Sequence, residues 1–317
     1  MRFAVVLATI CCLLSGSVFA ATPQQRPLGT AQEILQWING YRLKPQPQKL
    51  PDAVRAMSAL GLFRDLDTGG VYLGFIAGVI GSNPTRAEAL VTRMFPMPPE
   101  DQVVLVRAIA YSGLPDWKAL LAKFAERMPA RRVLIERLLA DKLPTLASLP
   151  LDQSPAALDI LWGYYFGTGA FDSVERIVSA LGWAKEPNNV ERLTLGAMAK
   201  WTLANNAQQD KRLLDYLRGE IKRQPKPIAK EIEEVVEAAE TFETSRIRRD
   251  AMAAIEDLKR KGPASARNAS WWGTAGQTAL ALGCVVASAM GHVEIGIPCV
   301  IGGVASSAAL KFLVPQP

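Results

Sequence analysis

The chain has 317 residues, of which 49% are hydrophobic and 21% are charged, and its formal net charge is +6. This composition provides ample apolar material for one large or two ordinary domains, and it excludes a disordered or collagen-like chain. The single histidine excludes most histidine-based metal sites. The basic residues are spread along the chain and do not form the aromatic-interleaved patch that nucleic-acid binding requires. We therefore predict a globular protein without a metal, cofactor or nucleic acid.

The first twenty residues have the layout of a secretory signal peptide. Arg2 supplies a positive charge, and the run from Phe3 to Leu14 is apolar except for Thr9. Small residues then stand at the −3 and −1 positions of a cleavage site after Ala20. The alternative is an uncleaved N-terminal anchor. We expect residues 1–20 to be removed and the protein to be exported to the periplasm or cell envelope.

Residues 21–226 are predicted to form a domain of helices. Thr30 and Glu33 have the capping-box spacing, and apolar residues follow at helical spacing up to Tyr41. A second helix is predicted from Pro51 to Leu62, with proline in its first turn.

From residue 71 onward, a helix, a tight turn of Gly, Asn or Pro and a second helix recur. The predicted pairs are 71–80 with 85–95, 103–111 with 116–127, 158–166 with 171–181, and 190–203 with 211–221, with a further helix near 130–142. The last pair is predicted to turn at Asn205-Asn206. The first two turns, at Gly81 and Gly113, are 32 residues apart. This is the spacing of a helix-pair repeat.

The segment Leu161-Trp162-Gly163-Tyr164-Tyr165-Phe166 resembles the Trp…Gly…Tyr part of tetratricopeptide repeats. The Ala and Pro landmarks of that family do not follow at their positions, so we predict no membership. No stretch alternates apolar and polar residues for long enough to predict a sheet. The expected fold is all-α, an irregular stack of helical hairpins that forms either a TPR-like α-solenoid or a single helical bundle.

Residues 227–261 are predicted to form one long amphipathic helix. Its apolar residues step by four and three residues, as in a heptad seam: Ile228, Ile232, Val235, Ala239 and Phe242. The next seam position is Arg246, where the register slips. Two interpretations remain open, namely a helix that packs along the hairpin stack and a coiled coil that binds a partner or dimerises.

A linker at 262–273 leads into a Gly/Ala-rich apolar helical hairpin predicted over 274–313. Trp271 and Trp272 suit a membrane interface. The two apolar segments are slightly shorter than the roughly 20 residues that span a bilayer, and small residues recur at every fourth position. We keep two alternatives, membrane association through 271–310 and burial against the helical body.

Two of the four cysteines would leave with the signal peptide. Cys284 and Cys299 lie symmetrically about a turn at Gly291-His292. An antiparallel hairpin would bring these two cysteines to the same level, and an exported protein can keep them oxidised. We therefore predict a Cys284–Cys299 disulfide. His292 lies beside Glu294 and is interpreted as part of a local hydrogen-bonding pair.

The sequence predicts no catalytic residue. The leading hypothesis is a non-enzymatic helical scaffold that binds protein partners in the bacterial cell envelope. Its groove is predicted to be lined by aromatic residues: Tyr72, Phe75, Tyr111, Trp162, Tyr164, Tyr165 and Trp201. The alternative is a carboxylate-based envelope hydrolase or lyase, which would bring four or more carboxylates together in a deep cleft.

Overall fold

The computed structural model describes residues 28–64, 69–152 and 156–261. Every regular element in these ranges is helical and none is a strand, which confirms the predicted all-α stack. The α-helices are α1 (Ala31–Tyr41), α2 (Leu50–Ala59), α3 (Gly70–Gly81), α4 (Ala87–Arg93), α5 (Gln102–Ala110), α6 (Trp117–Phe124), α7 (Arg132–Leu139), α8 (Ala156–Thr168), α9 (Asp172–Ser179), α10 (Val190–Gln209), α11 (Lys211–Glu220), α12 (Lys226–Glu240) and α13 (Thr244–Lys261). Short 3-10 turns lie at Pro47–Lys49, Pro84–Arg86, Ala125–Arg127, Pro129–Arg131, Leu146–Ser148 and Ala180–Trp183.

The first helix begins as its sequence predicts. The Thr30 hydroxyl accepts a hydrogen bond from the Glu33 backbone N–H at 3.2 Å, and the Glu33 carboxylate accepts one from the Thr30 N–H at 3.1 Å. This capping box satisfies two amides that would otherwise lack a partner at the helix start. The predicted apolar face is buried and consists of Ile34, Leu35, Ile38 and Tyr41.

Helices α3 and α8 form the most extensive packing contact of the described residues. They approach at glycines. A Cβ atom at Gly74 would lie 1.9 Å from the Ile160 carbonyl oxygen, and one at Gly163 would lie 2.1 Å from the Val71 carbonyl oxygen. Only a residue without a side chain permits backbones to come this close. The contacts advance along both helices together, so α3 and α8 run parallel.

The other helices pack around two centres. Helix α3 also contacts α5, and α8 contacts α1. Helix α10 is the second centre and packs against α11, α12 and α13. Helix α9 contacts α8, α10 and α12 and thereby joins the two groups.

Helix α10 extends beyond its predicted end. The predicted turn at Asn205-Asn206 is wrong, because the helix continues to Gln209 and both asparagines are buried. The Asn206 side-chain amide donates to the Thr202 carbonyl at 2.9 Å, which satisfies it within the helix. The chain turns instead at Asp210, whose extended backbone and side chain cap α11.

The prediction of one long helix over 227–261 is wrong. Helix α12 ends at Glu240, and Phe242 adopts a left-handed φ of 59° before α13 begins. The Glu243 N–H donates to the Ala238 carbonyl at 3.0 Å, the closing bond of a Schellman motif. Phe242, which was predicted to be part of the apolar seam, is 72% exposed. Both helices pack on α10, which favours packing along the stack over a continuous coiled coil.

Among the helices of the described ranges, none combines the length and the hydropathy that a bilayer crossing requires. The predicted signal peptide at 1–20, the linker at 262–273 and the apolar hairpin at 274–313 lie outside the described residues.

Candidate functional site

The aromatic residues predicted to line a groove lie in the core. Six of the seven are buried, namely Tyr72, Phe75, Tyr111, Trp162, Tyr165 and Trp201. Tyr164 is half-buried, and its hydroxyl donates to the Ser112 carbonyl at 3.1 Å. The structure therefore corrects this prediction. Aromatic side chains spaced along one face of a helix are covered by neighbouring helices here, and they supply apolar burial instead of an open surface.

The remaining predicted site residues are not described by the structure. Cys284, Cys299, Trp271 and Trp272 all lie beyond residue 261, so the disulfide and the membrane interface stay predictions. In the ranges that the structure describes, no three His, Cys, Asp or Glu side chains are grouped in a way that could hold a metal ion.

The structure forms a cleft between the start of α9 and the second half of α11. Its volume is about 300 Å³, and we call it the α9–α11 cleft. Its lining residues are aromatic, charged or amide-bearing: Phe171, Asp172, Glu175, Tyr216, Glu220, Arg223 and Gln224.

The wall of the cleft is a stack of aromatic rings. The Phe171 and Tyr216 rings are nearly parallel, with an interplanar angle of 4° and centroids 4.2 Å apart. On the inner side, the Tyr165 ring stacks on Phe171 with centroids 5.8 Å apart. The stack runs from the buried core to the cleft. It therefore fixes the position of α9 relative to α11.

The three carboxylates of the cleft differ in their partners. Asp172 and Glu175 lie exposed in the first turn of α9, where negative charge is favoured by the helix dipole. Neither makes an ion pair with another residue of the described ranges. Glu220 is only 4% exposed. Its carboxylate forms an ion pair with the Arg223 guanidinium at 3.1 Å and accepts a hydrogen bond from the Gln224 amide at 2.8 Å.

The residues that line the cleft carry a net negative formal charge. Its three carboxylates outnumber its one guanidinium, although the whole chain carries a net charge of +6. Burial raises the pKa of Tyr216 to about 12, and the negative charges of Glu220, Glu175 and Asp172 add to the increase. A negative potential disfavours the phenolate and favours a cation.

A buried ion pair lies at the inner end of the stack of aromatic rings. The Asp210 carboxylate accepts hydrogen bonds from the Tyr165 hydroxyl at 2.6 Å and from the Arg42 Nε at 2.9 Å. Burial would raise the pKa of Asp210, but the Tyr165 hydroxyl and the Arg42 guanidinium more than offset this and hold the pKa below its ordinary value. The pKa of Tyr165 is raised by burial and by its bond to Asp210. The network joins α1, α8 and the start of α11.

The residues of the cleft carry no signal in the sequence that links them to one another. Phe171 and Asp172 are more than forty residues from Tyr216 and Glu220, and no motif links these two segments. The one local signal was the acidic first turn of α9. That signal is also common at helix starts that have no binding function.

Comparison of the chain with protein-family models, curated proteins and solved structures found no match.

Proposed function

We propose that the protein is a non-enzymatic helical scaffold that binds protein partners in the bacterial cell envelope. The observation that carries this proposal is the confirmed all-α stack built on the glycine-packed crossing of α3 and α8. Stacked helical hairpins present several exposed helix faces on one frame, and other helical stacks use such surfaces to bind proteins.

A charged network supports the rigidity of this frame. The Lys200 ammonium lies 2.6 Å from one oxygen of Glu231, and the Lys185 ammonium lies 2.5 Å from the other. Glu234, one turn further along α12, also pairs with both lysines. These contacts connect α12 to α10 and to the segment that precedes α10. A preformed surface loses less conformational entropy on binding than a flexible one.

The location rests on the predicted signal peptide and the predicted apolar hairpin. We expect the mature protein to begin at Ala21 and to fractionate with the periplasm or envelope. Intact mass spectrometry and cell fractionation test export, and a form that retains Met1 in the cytosol would contradict it. Complete release by carbonate would contradict membrane insertion of 274–310, and two free thiols in the mature protein would contradict the Cys284–Cys299 disulfide.

The alternative of a carboxylate-based hydrolase or lyase has less support. Three carboxylates line the α9–α11 cleft, fewer than the four expected for that alternative. Asp159 is a described carboxylate whose pKa burial raises strongly, but it lies in the α3–α8 contact and does not line the cleft. We therefore favour the scaffold.

Site-specific photo-cross-linking in whole cells tests the scaffold proposal. A photoreactive residue is placed at Val133, which is 70% exposed, and as a control at Leu161, which is buried. The scaffold predicts discrete adducts of higher mass from position 133 and from other exposed helix faces, and none from position 161. Absence of adducts from every exposed position would contradict protein binding.

A further inference from the structure

We propose that helix α13 exchanges between two copies of this chain, so that α13 of one copy packs on α10 and α12 of the other. The hinge of this exchange is the turn 241–243, which joins α12 to α13. The proposal goes beyond the scaffold function and does not depend on it, because it names a second copy of the same chain as a partner.

The hinge contains a residue that is unsuited to its backbone conformation. Phe242 has a φ of 59°, and the Glu243 N–H closes the turn by donating to the Ala238 carbonyl at 3.0 Å. The turn of the same type at the end of α2 is made by Gly61, with a φ of 70°. Glycine adopts this conformation freely, whereas a residue with a side chain is strained in it. A single folded chain therefore stores backbone strain at the hinge.

The side chain of Phe242 gains little from this position. Phe242 is 72% exposed, so most of its apolar surface stays in contact with water. Strained residues of this kind are characteristic of segments that switch between two arrangements. Strain and exposure both point to a second arrangement, in which the hinge is helical and Phe242 is covered.

The sequence favours a continuous helix through the hinge. Residues 228–261 contain neither glycine nor proline, so no residue in this segment is a strong helix breaker. The apolar residues of α12 step by four and three residues, and Phe242 is the next in their series: Ile228, Ile232, Val235 and Ala239. A straight helix would therefore place Phe242 on the apolar face of α12. Such a helix over 226–261 would be about 54 Å long.

A chain with a straight helix requires a second copy. In the single chain, α13 contacts α10 and α12, and Ile247 of α13 is only 6% exposed. Straightening the hinge would remove the 18 residues of α13 from these contacts and leave both surfaces uncovered. Two copies in this state complete each other, because each α13 covers the surface that the other has vacated. The exchange thus restores the α13 contacts between copies and relieves both hinges.

The ion pairs across the hinge do not oppose the exchange strongly. Arg246 of α13 lies 3.4 Å from Glu237 of α12 and 3.3 Å from Glu243. All three side chains are at least 41% exposed, and exposed ion pairs contribute little to stability. The exchanged dimer can also form the Arg246–Glu237 pair between the two copies. The difference between the two arrangements therefore lies mainly in the backbone of the hinge.

The test is photo-cross-linking of the full chain with a photoreactive residue at position 246, which faces Glu237 of α12. Copies labelled with ¹⁵N and unlabelled copies are mixed in urea and refolded together at high and at low protein concentration. We expect links between copies at high concentration, joining position 246 to residues 226–240, and links within one copy at low concentration. Links within one copy at every concentration would overturn the proposal, and so would dimers that are linked only outside α10 and α12.

Glycine substitution at the hinge gives a second test. Phe242→Gly should raise the dissociation constant of the dimer, measured by light scattering, by about 100-fold. At each of the two hinges, glycine relieves the closed turn and disfavours the straight helix, with a combined effect of about tenfold.

The matched control is Glu233→Gly. Glu233 is an exposed residue within α12, which is helical in both arrangements, so this substitution should leave the dissociation constant unchanged. Equal weakening of the dimer by the two glycine variants would overturn the proposal, because it would indicate a general loss of helix stability. A dimer that Phe242→Gly does not weaken would overturn it as well.

Discussion

Asp159 lies in the first turn of α8, directly against Gly70 of α3, and is only 4% exposed. Burial raises its pKa from the ordinary value of 3.8 to about 7. The folded state therefore holds this proton more tightly than the unfolded state does. It follows that this carboxyl destabilises the fold progressively as the pH rises from about 4 to 7, with no further change above that range.

Substitution of this carboxyl gives a pH-dependent prediction. Asp159→Asn should raise the free energy of unfolding at pH 8.5, by up to about 4 kcal/mol, because the amide is not charged in its buried position. At pH 4.5 the difference should fall to about 1 kcal/mol, because the folded state then keeps the Asp159 proton while the unfolded state, with the ordinary pKa of 3.8, has already released most of it. Urea unfolding at both pH values measures the difference.

The control for this prediction is Asp116→Asn. Asp116 is exposed, so its substitution should change the free energy of unfolding by less than about 0.5 kcal/mol at either pH. An Asp159→Asn variant that is no more stable than the parent protein at pH 8.5 would show that the carboxylate is adequately solvated.

At the scale of single elements, the α3–α8 crossing depends on the absence of side chains. Gly163→Ala should lower the free energy of unfolding by about 2–4 kcal/mol, because its Cβ would collide with the Val71 carbonyl oxygen at 2.1 Å. The loss should occur although alanine favours helix by about 1 kcal/mol. Urea denaturation of the full chain measures it.

Gly40 provides the matched control for this substitution. It also lies within a helix, but no atom comes within 4 Å of a Cβ built there. Gly40→Ala should therefore raise stability by about 0.5–1 kcal/mol. If the two alanine variants changed stability alike, close backbone contact would not be the reason for glycine at position 163.

A substitution at the break between α12 and α13 should raise the free energy of unfolding, whereas Gly163→Ala should lower it. Phe242 holds a left-handed φ of 59°, which L-residues with a side chain adopt at a cost of about 1 kcal/mol or more. Phe242→Gly should therefore stabilise the protein by about 0.5–1 kcal/mol, measured by thermal or urea unfolding. In one continuous helix, the same substitution would destabilise it by about 1 kcal/mol.

Gly61 is the matching position at the end of α2. It has a φ of 70°, and the Leu62 N–H closes the same type of Schellman bond on Met57 at 2.9 Å. Gly61→Ala should lower stability by about 1 kcal/mol. A gain at Gly61 or a loss at Phe242 would contradict the assigned helix ends.

Local signals predict the elements better than their ends. The capping box of Thr30 and the turn residues near Gly81 and Gly113 place their helices within a few residues of the observed bounds. The pattern fails at Asn206, whose side chain bonds within the helix, and at Phe242, which occupies a position usually filled by glycine. Average residue propensities predict neither case, because Asn favours turns and Phe rarely adopts a left-handed φ.

At the scale of the whole molecule, the pairing of helices determines which apolar faces are buried. The sequence does not predict this pairing. Whether an apolar aromatic face meets solvent or another helix depends on which helices become neighbours. Tyr72 and Trp162 were predicted to line a surface and lie in the core, because α3 and α8 pack together despite the long segment between them. The same long-range pairing creates the α9–α11 cleft from segments without a shared motif.

We propose that this helical stack is an exported scaffold that binds proteins. The decisive experiment compares the photo-cross-links formed from position 133 by the full chain and by a chain lacking residues 1–20. We expect discrete adducts with the full chain and their loss when export is prevented. Identical adducts from both chains would contradict an envelope partner, and no adducts from position 133 or any other exposed position of the full chain would contradict the scaffold itself.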